Sequence, residues 1–89
     1  MDSDDLNAFV ELSTEGNYGR AARKLHANQS GLSRLVQVFE RDFGVQLVER
    51  TTRHVKLTDA GRVFVTESSK VLETVEHLQQ SMTRFKHQQ

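Results

Sequence analysis

The 89-residue chain has a mass of 10.2 kDa, which is enough for one hydrophobic core but not for two. Its 12 Lys and Arg residues equal its 12 Asp and Glu residues, and this neutrality taken alone disfavours a nucleic-acid-binding domain. The absence of Cys excludes disulfides, Cys-based zinc sites and thiol catalysis. Because we find neither an apolar leader nor a long apolar run, we expect a cytoplasmic protein that does not enter the membrane.

The charges are separated along the chain. Residues 1–17 carry five acids and no base, and residues 18–56 carry eight bases against three acids. Residues 57–89 carry four of each, so a net charge of −5 is followed by +5 and then by zero. No acid occurs between Tyr18 and Phe39. A run of charge is often only a solvated surface, so the pattern alone leaves a binding surface and a solvated surface equally open.

Three helices are predicted before residue 45. The first begins at the acidic Ser3-Asp4-Asp5 segment and ends at Gly16. Asn17 and Asn28 are suitable caps for the second and third helices, and Gly44 is a suitable end for the third. The predicted inner faces, at helical spacing, consist of Leu6, Phe9, Val10, Ser13, Tyr18, Ala21, Ala22, Leu25, Leu32, Val36, Phe39 and Phe43.

The rest of the chain predicts a hairpin and a long helix. Residues 47–50 and 54–57 are predicted as two short strands, and Thr58 is a suitable cap for a helix over residues 59–89. A heptad pattern along this helix is formed by Phe64, Val71, Leu78 and Phe85 with Ser68, Val75 and Met82 interleaved. This stripe predicts pairing with a second copy of the chain; packing inside a larger protein is the alternative.

The fold class is therefore mainly α. Residues 1–58 are predicted to form a winged helix-turn-helix of three helices and a short two-stranded wing. The helix-turn-helix spans about residues 18–37 and the wing about residues 47–57. Residues 59–89 are predicted to form a long dimerisation linker helix.

The third helix carries side chains suited to reading DNA. Its outward N-terminal face is formed by Gln29, Ser30, Ser33, Arg34 and Gln37. Arg can donate two hydrogen bonds to guanine, and Gln can pair in the same way with adenine. Arg50 and Arg53 flank the predicted wing tip, where a cation can enter the minor groove or contact phosphates.

Four segments carry a resemblance to a known family. They are GNYGRAARKLH at 16–26, NQSGLSRLV at 28–36, FGVQLVER at 43–50 and VKLTDAG at 55–61. Together they closely resemble the N-terminal domain of LysR-type transcriptional regulators, and the similarity extends from about Leu6 to Leu78. The resemblance implies a sequence-specific DNA-binding domain of a bacterial regulator that binds two-fold-related half-sites as a homodimer. It also implies a separate effector-sensing domain for a small molecule and tetramers in some full-length proteins, but no cofactor.

The resemblance also assigns roles to individual residues. It implies base reading by Gln29, Ser33 and Arg34, and a minor-groove contact by Arg53. The residues that it implies as phosphate contacts are Asn17, Arg20 and Arg50. In the family, Pro and Ala usually occupy the positions of Ser30 and Gly31, and Gly costs about 1 kcal/mol relative to Ala in a helix. We therefore expect a less rigid start of the recognition helix.

The sequence also bears on two other classes of function, a protein-interaction module and an enzyme. A protein-interaction module could use the same scaffold without contacting DNA, and binding to random duplex that is insensitive to salt would favour it. An enzyme is disfavoured, because His26, His54, His77 and His87 show no pairing with each other or with a suitable carboxylate set. The sequence also has no Gly-rich phosphate loop or nucleophile elbow, and no metal site is predicted.

Overall fold

The computed structural model describes residues 1–50 and 54–86. These residues form four helices, α1 (Ser3–Glu15), α2 (Tyr18–Leu25), α3 (Gln29–Phe43) and α4 (Asp59–Thr83). Helices α2 and α3 form the helix-turn-helix, and α1 packs against α2, α3 and α4. The predicted order of helices is thus confirmed.

Each helix begins at a side chain that accepts a hydrogen bond from the backbone N–H three residues further on. The caps of α2, α3 and α4 are Asn17, Asn28 and Thr58, with donor–acceptor distances of 2.6 to 3.0 Å, and all three predicted caps are confirmed. The cap of α1 is Asp2, whereas the sequence placed it within residues 3–5. Ser3 is instead the first helical residue, because the Asp2 carboxylate satisfies a backbone N–H of the first turn.

Left-handed residues end the first three helices. Gly16 and Gly44 have φ of 68° and 70°, as expected for glycines just past a helix. His26 ends α2 with φ of 55°, and its backbone N–H donates to carbonyls of the preceding turn. The turn between α2 and α3 therefore consists of residues 26–28, as predicted.

The core lies where α1, α3 and α4 meet. The Phe9 ring is in edge contact with Phe39 and Phe64, at centroid distances of 6.1 and 5.0 Å. The buried hydrophobic residues are Leu6, Phe9, Leu12, Ala21, Ala22, Leu32, Val36, Phe39, Leu47 and Val48. Leu12, which was missing from the predicted inner face, is fully buried. Phe43, which was predicted on that face, is half exposed at the end of α3.

The two predicted wing strands are shorter in the structure than in the prediction. Within the described residues, the wing has a single antiparallel bridge, between Val48 and Leu57. The hydrogen bonds that flank this bridge run from the N–H of Glu49 to the Lys56 carbonyl and from the N–H of Thr58 to the Leu47 carbonyl. Beyond it, the N–H of Leu47 donates to the carboxylate of Glu40 and not to the Thr58 carbonyl, so the ladder ends where α4 begins. Residues 51–53 of the predicted wing lie outside the described residues.

Helix α4 packs directly on the backbone of the wing. Gly61 is buried in its first turn, and a Cβ atom added there would lie only 2.0 Å from the carbonyl oxygen of Leu47. The same carbonyl accepts a hydrogen bond from the backbone N–H of Thr58 at 3.0 Å. Gly61 thus allows α4 to begin in contact with the wing.

The heptad stripe of α4 divides into two parts. Phe64 packs in the core of its own domain and Ser68 is buried, so the start of the stripe does not face only a partner. Further along, Val75 is half-buried, and four residues are between 47% and 59% exposed: Val71, Leu78, Met82 and Phe85. The helix ends at Thr83, so the predicted extension to residue 89 is too long and Phe85 lies in the turn that follows. Residues 87–89 lie outside the described part of the chain.

Candidate nucleic-acid interface

The outward N-terminal face of α3 is formed by the residues that helical spacing predicted. One open depression of about 560 Å³ is lined by Gln29, Ser30, Ser33, Arg34 and Gln37. Four of these side chains are exposed, and that of Ser33 is half-buried. The opposite face of the helix is held in the core, so α3 projects these polar groups outward. This arrangement places a guanidinium, two amides and two hydroxyls on a single surface.

The bases of α2 have acidic neighbours on α1. The exposed Arg20 side chain donates from Nη2 to the Glu15 carbonyl at 3.0 Å, and its Nε lies 3.9 Å from the Glu15 carboxylate. The Nζ atom of Lys24 lies 2.7 Å from Glu11 Oε1 and 3.4 Å from Glu15 Oε2. The hydrogen bond and charge of Glu11, followed by those of Glu15, raise the pKa of Lys24 above its ordinary value. Acids from the negative segment therefore offset part of the positive charge on α2.

Asn17 has a structural role at the start of α2. Its Oδ1 accepts the capping hydrogen bond from the backbone N–H of Arg20 at 2.9 Å. The amide NH₂ group of Asn17 is the part of this side chain that can donate to a phosphate. Of the predicted phosphate contacts, Asn17 and Arg20 are therefore brought together at one end of α2.

Arg50 is joined to a buried acid that the sequence reasoning missed. Its Nη2 pairs with Oε1 of Glu40, a residue that is 7% exposed. Burial raises the pKa of the Tyr18 phenol, the charge of Glu40 raises it further, and the charge of Arg50 lowers it. All three groups therefore lie near the start of α2. Glu40 follows Val36 by four residues and so shares the inner face of α3, a spacing that could have identified it.

The minor-groove contact predicted for Arg53 falls on a residue outside the described ranges. The structure thus brings together the predicted base-reading residues of α3. It also positions Asn17, Arg20 and Arg50, each of which already has a partner within its own domain.

An apolar groove lies on another side of the domain, between the start of α1, the end of α3 and the first half of α4. It has a volume of about 380 Å³. Exposed apolar side chains on its walls are Met1, Phe43, Val45, Val63 and Val71, and Phe64 lines it from the core. The exposed stripe of α4 continues from this groove through Val71.

Two further properties concern residues 1–50 and 54–86. None of the helices in these ranges is both long and apolar enough to cross a membrane. In the same ranges, no group of three or more His, Asp and Glu residues could hold a metal ion.

Comparison with known proteins identifies the family. The model of the bacterial regulatory helix-turn-helix proteins of the lysR family matches residues 3–62. The chain belongs to the LysR family. The resemblance to LysR-type regulators and the predicted winged helix-turn-helix fold are thereby confirmed.

LysR-family relatives of the chain are transcriptional regulators. It is 42% identical over 76 residues to the HTH-type transcriptional regulator ClcR of Pseudomonas putida, covering 85% of this chain and 26% of ClcR. It is 43% identical over 84 residues to a probable cat1 operon transcriptional activator of Acinetobacter lwoffii, covering 94% and 28% of the two chains. The chain therefore spans about a quarter of the length of these relatives.

A solved LysR-family structure shows the same fold. The protein in the crystal structure of the BenM DBD with catB site 1 DNA is 34% identical to this chain, with a TM-score of 0.91. The similarity covers 98% of this chain and 97% of that one. It therefore includes α4 as well as the helix-turn-helix.

Proposed function

We propose that the chain is the sequence-specific DNA-binding domain of a cytoplasmic LysR-type transcriptional regulator, and that it has no enzymatic activity of its own. The observation that carries this proposal is the exposed N-terminal face of α3, where five side chains suited to reading base edges line one surface. The relation to LysR-family regulators supports the same function. A small-molecule effector would act through a domain other than this one.

The proposed contacts fall into two groups. Bases are read in the major groove by Gln29, Ser30, Ser33, Arg34 and Gln37, and in the minor groove by Arg53. Phosphates are bound by Asn17, Arg20 and Arg50. Arg34 has the main role in discrimination, because its fork of donors matches the two acceptors of guanine.

The domain binds two-fold-related half-sites as a homodimer, with residues 1–58 as the DNA-binding unit and residues 59–89 as the dimerisation segment, in which α4 provides the pairing surface. This part of the proposal is supported by the exposed stripe of α4 formed by Val71, Leu78, Met82 and Phe85. Val75 lies within the stripe, and Phe64 contributes through the apolar groove that adjoins it. An uninterrupted apolar surface of this kind favours a partner helix, and two-fold pairing is the simplest way to cover it. A full-length protein could assemble further into tetramers.

Selection of bound sequences from a random duplex pool, followed by titration of single variants, tests the proposal. Arg34→Ala should weaken binding to the selected site by about 1–3 kcal/mol and lower the ratio of specific to random affinity. Arg41→Ala is the matched control, because it removes the same charge from the opposite end of α3. It should leave the ratio unchanged.

Two results would contradict the proposal. An unchanged ratio in Arg34→Ala would refute the assignment of the recognition face. Binding to random duplex that does not fall between low and physiological salt would favour a protein-interaction module instead.

A further inference from the structure

The carboxylate of Glu40 is held in place by the wing. Its Oε2 accepts hydrogen bonds from the backbone N–H groups of Leu47 and Val48, at 2.8 and 3.3 Å. Its Oε1 pairs with Nη2 of Arg50. Because a buried charge is stable only while its polar partners are present, these three donors fix the position of the carboxylate.

The guanidinium of Arg50 extends from this buried carboxylate toward solvent. The Arg50 side chain is 49% exposed, whereas that of Glu40 is almost fully covered. A guanidinium has five N–H donors in one plane. Within residues 1–50 and 54–86, the partner of this guanidinium is Glu40, which it contacts through Nη2. The phenol of Tyr18, at the start of α2, interacts with both charges, which places Arg50 near the end of α2 that carries the Asn17 amide.

We propose that Glu40 is a positioning residue for DNA binding, which holds the Arg50 guanidinium so that its remaining donors meet a backbone phosphate. This inference rests on the proposed DNA-binding function. A guanidinium held at one edge has lost most of its rotamer freedom before DNA arrives, so less entropy is lost on binding. The planar fork of Arg can contact a carboxylate and a phosphate in this way, which the single ammonium of Lys cannot reproduce.

Glu40→Gln distinguishes positioning from bulk charge. The carbonyl oxygen of the new amide can still accept from the N–H groups of Leu47 and Val48, but its NH₂ group then faces Nη2 of Arg50. Two donors cannot pair, so the guanidinium turns away from its position. Charge alone predicts the opposite result, because removal of an acid makes the domain more positive and should tighten binding to a polyanion.

The experiment measures the affinity of the wild type, Glu40→Gln, Arg50→Gln and the double variant for a random-sequence DNA duplex at several salt concentrations. Glu40→Gln and Arg50→Gln should each bind about tenfold more weakly, as expected for loss of one charged hydrogen bond. The slope of log K against log salt should become shallower by about 0.9 per subunit in both variants. The double variant should bind no more weakly than Arg50→Gln. Thermal melting followed by circular dichroism shows whether each variant is folded.

Several outcomes would overturn the inference. The first is a folded Glu40→Gln variant with wild-type or tighter affinity and a wild-type salt slope. The second is an Arg50→Gln variant with unchanged affinity. The third is a double variant whose fold-loss of affinity is the product of the two single fold-losses. If Glu40→Gln does not fold, Arg50→Lys decides, because it keeps the charge but lacks the fork. Weakening of Arg50→Lys to the level of Arg50→Gln supports positioning, and wild-type affinity refutes it.

Failure of this inference is distinguishable from failure of the proposed function. If the wild type binds duplex in a salt-dependent manner and prefers a selected site, DNA binding stands whatever Glu40→Gln does. If the wild type shows neither property, the proposed function fails first and the inference fails with it.

Discussion

Substitution of Gly61 by Ala tests the direct contact between α4 and the wing. The added Cβ would lie 2.0 Å from the carbonyl oxygen of Leu47 and 3.2 Å from the Cβ of Leu57. The first distance is more than 1 Å short of van der Waals contact, and a backbone carbonyl cannot move aside as a side chain can. To relieve the clash, α4 and the wing would have to move apart, which would also break the hydrogen bond that the Leu47 carbonyl accepts from the N–H of Thr58.

The change in the free energy of unfolding is the sum of one favourable and two unfavourable contributions. Ala gains about 1 kcal/mol over Gly in helix propensity. Overpacking a filled site costs about 1–3 kcal/mol, and the broken hydrogen bond costs about 1 kcal/mol more. The expected net loss is therefore about 1–3 kcal/mol for Gly61→Ala. In a domain of this size, each kcal/mol lowers the melting temperature by roughly 4–8 °C.

Thermal unfolding followed by circular dichroism at fixed protein concentration provides the assay. Gly31→Ala is the control, because it makes the same chemical change in an exposed helical position. The nearest atom to its added Cβ is the side-chain oxygen of Asn28 at 3.1 Å, which can move by a few tenths of an ångström. Because Ala also gains helix propensity at this position, we expect the melting temperature of Gly31→Ala to be equal to or above that of the wild type. A Gly61→Ala variant as stable as the wild type would refute the close packing of α4 on the wing.

Two further predictions concern Tyr18 and α4. Tyr18 is the single Tyr of the chain, so phenolate absorbance reports on it alone. Because the pKa of Tyr18 is raised in the fold, the midpoint of its titration in the native protein should lie above pH 10.0. This midpoint should fall when the protein is unfolded in denaturant. Since the folded pKa is raised, the free energy of unfolding should decrease as the pH rises above about 10, and Tyr18→Phe should reduce that decrease. Leu78→Glu should convert the proposed dimer to a monomer in sedimentation equilibrium and leave the core unchanged. Gln79→Glu, next to it on the helix, should leave the association intact. Equal association of the two variants would refute the role of the stripe.

Much of the helical framework could be predicted because its signals are local. The side chains of Asn17, Asn28 and Thr58 cap the helices that follow them, and Gly16 and Gly44 end α1 and α3. These residues act on backbone groups within a few positions in the sequence, so a single sequence is sufficient to identify them. The grouping of Gln29, Ser30, Ser33, Arg34 and Gln37 on one outward face followed in the same way from helical spacing.

The parts that were mispredicted depend on contacts distant in sequence. Phe64 satisfies the heptad pattern equally well whether it faces a partner or its own core, and only the fold shows that it contacts Phe9. Helical spacing places Glu40 on the inner face of α3, but only the folded wing supplies the two N–H donors that hold its carboxylate. One of these donors, the N–H of Leu47, is the group that a longer wing ladder would have required.

Half of α4 lies beyond the core of its own domain. Of the residues that the structure describes, Leu72 is the last that packs against the core, and the helix continues to Thr83. A helical segment of about this length is marginal in water without tertiary contacts. The helix content of the chain should therefore depend on protein concentration, because ordering of the distal half and association of two subunits become one coupled equilibrium.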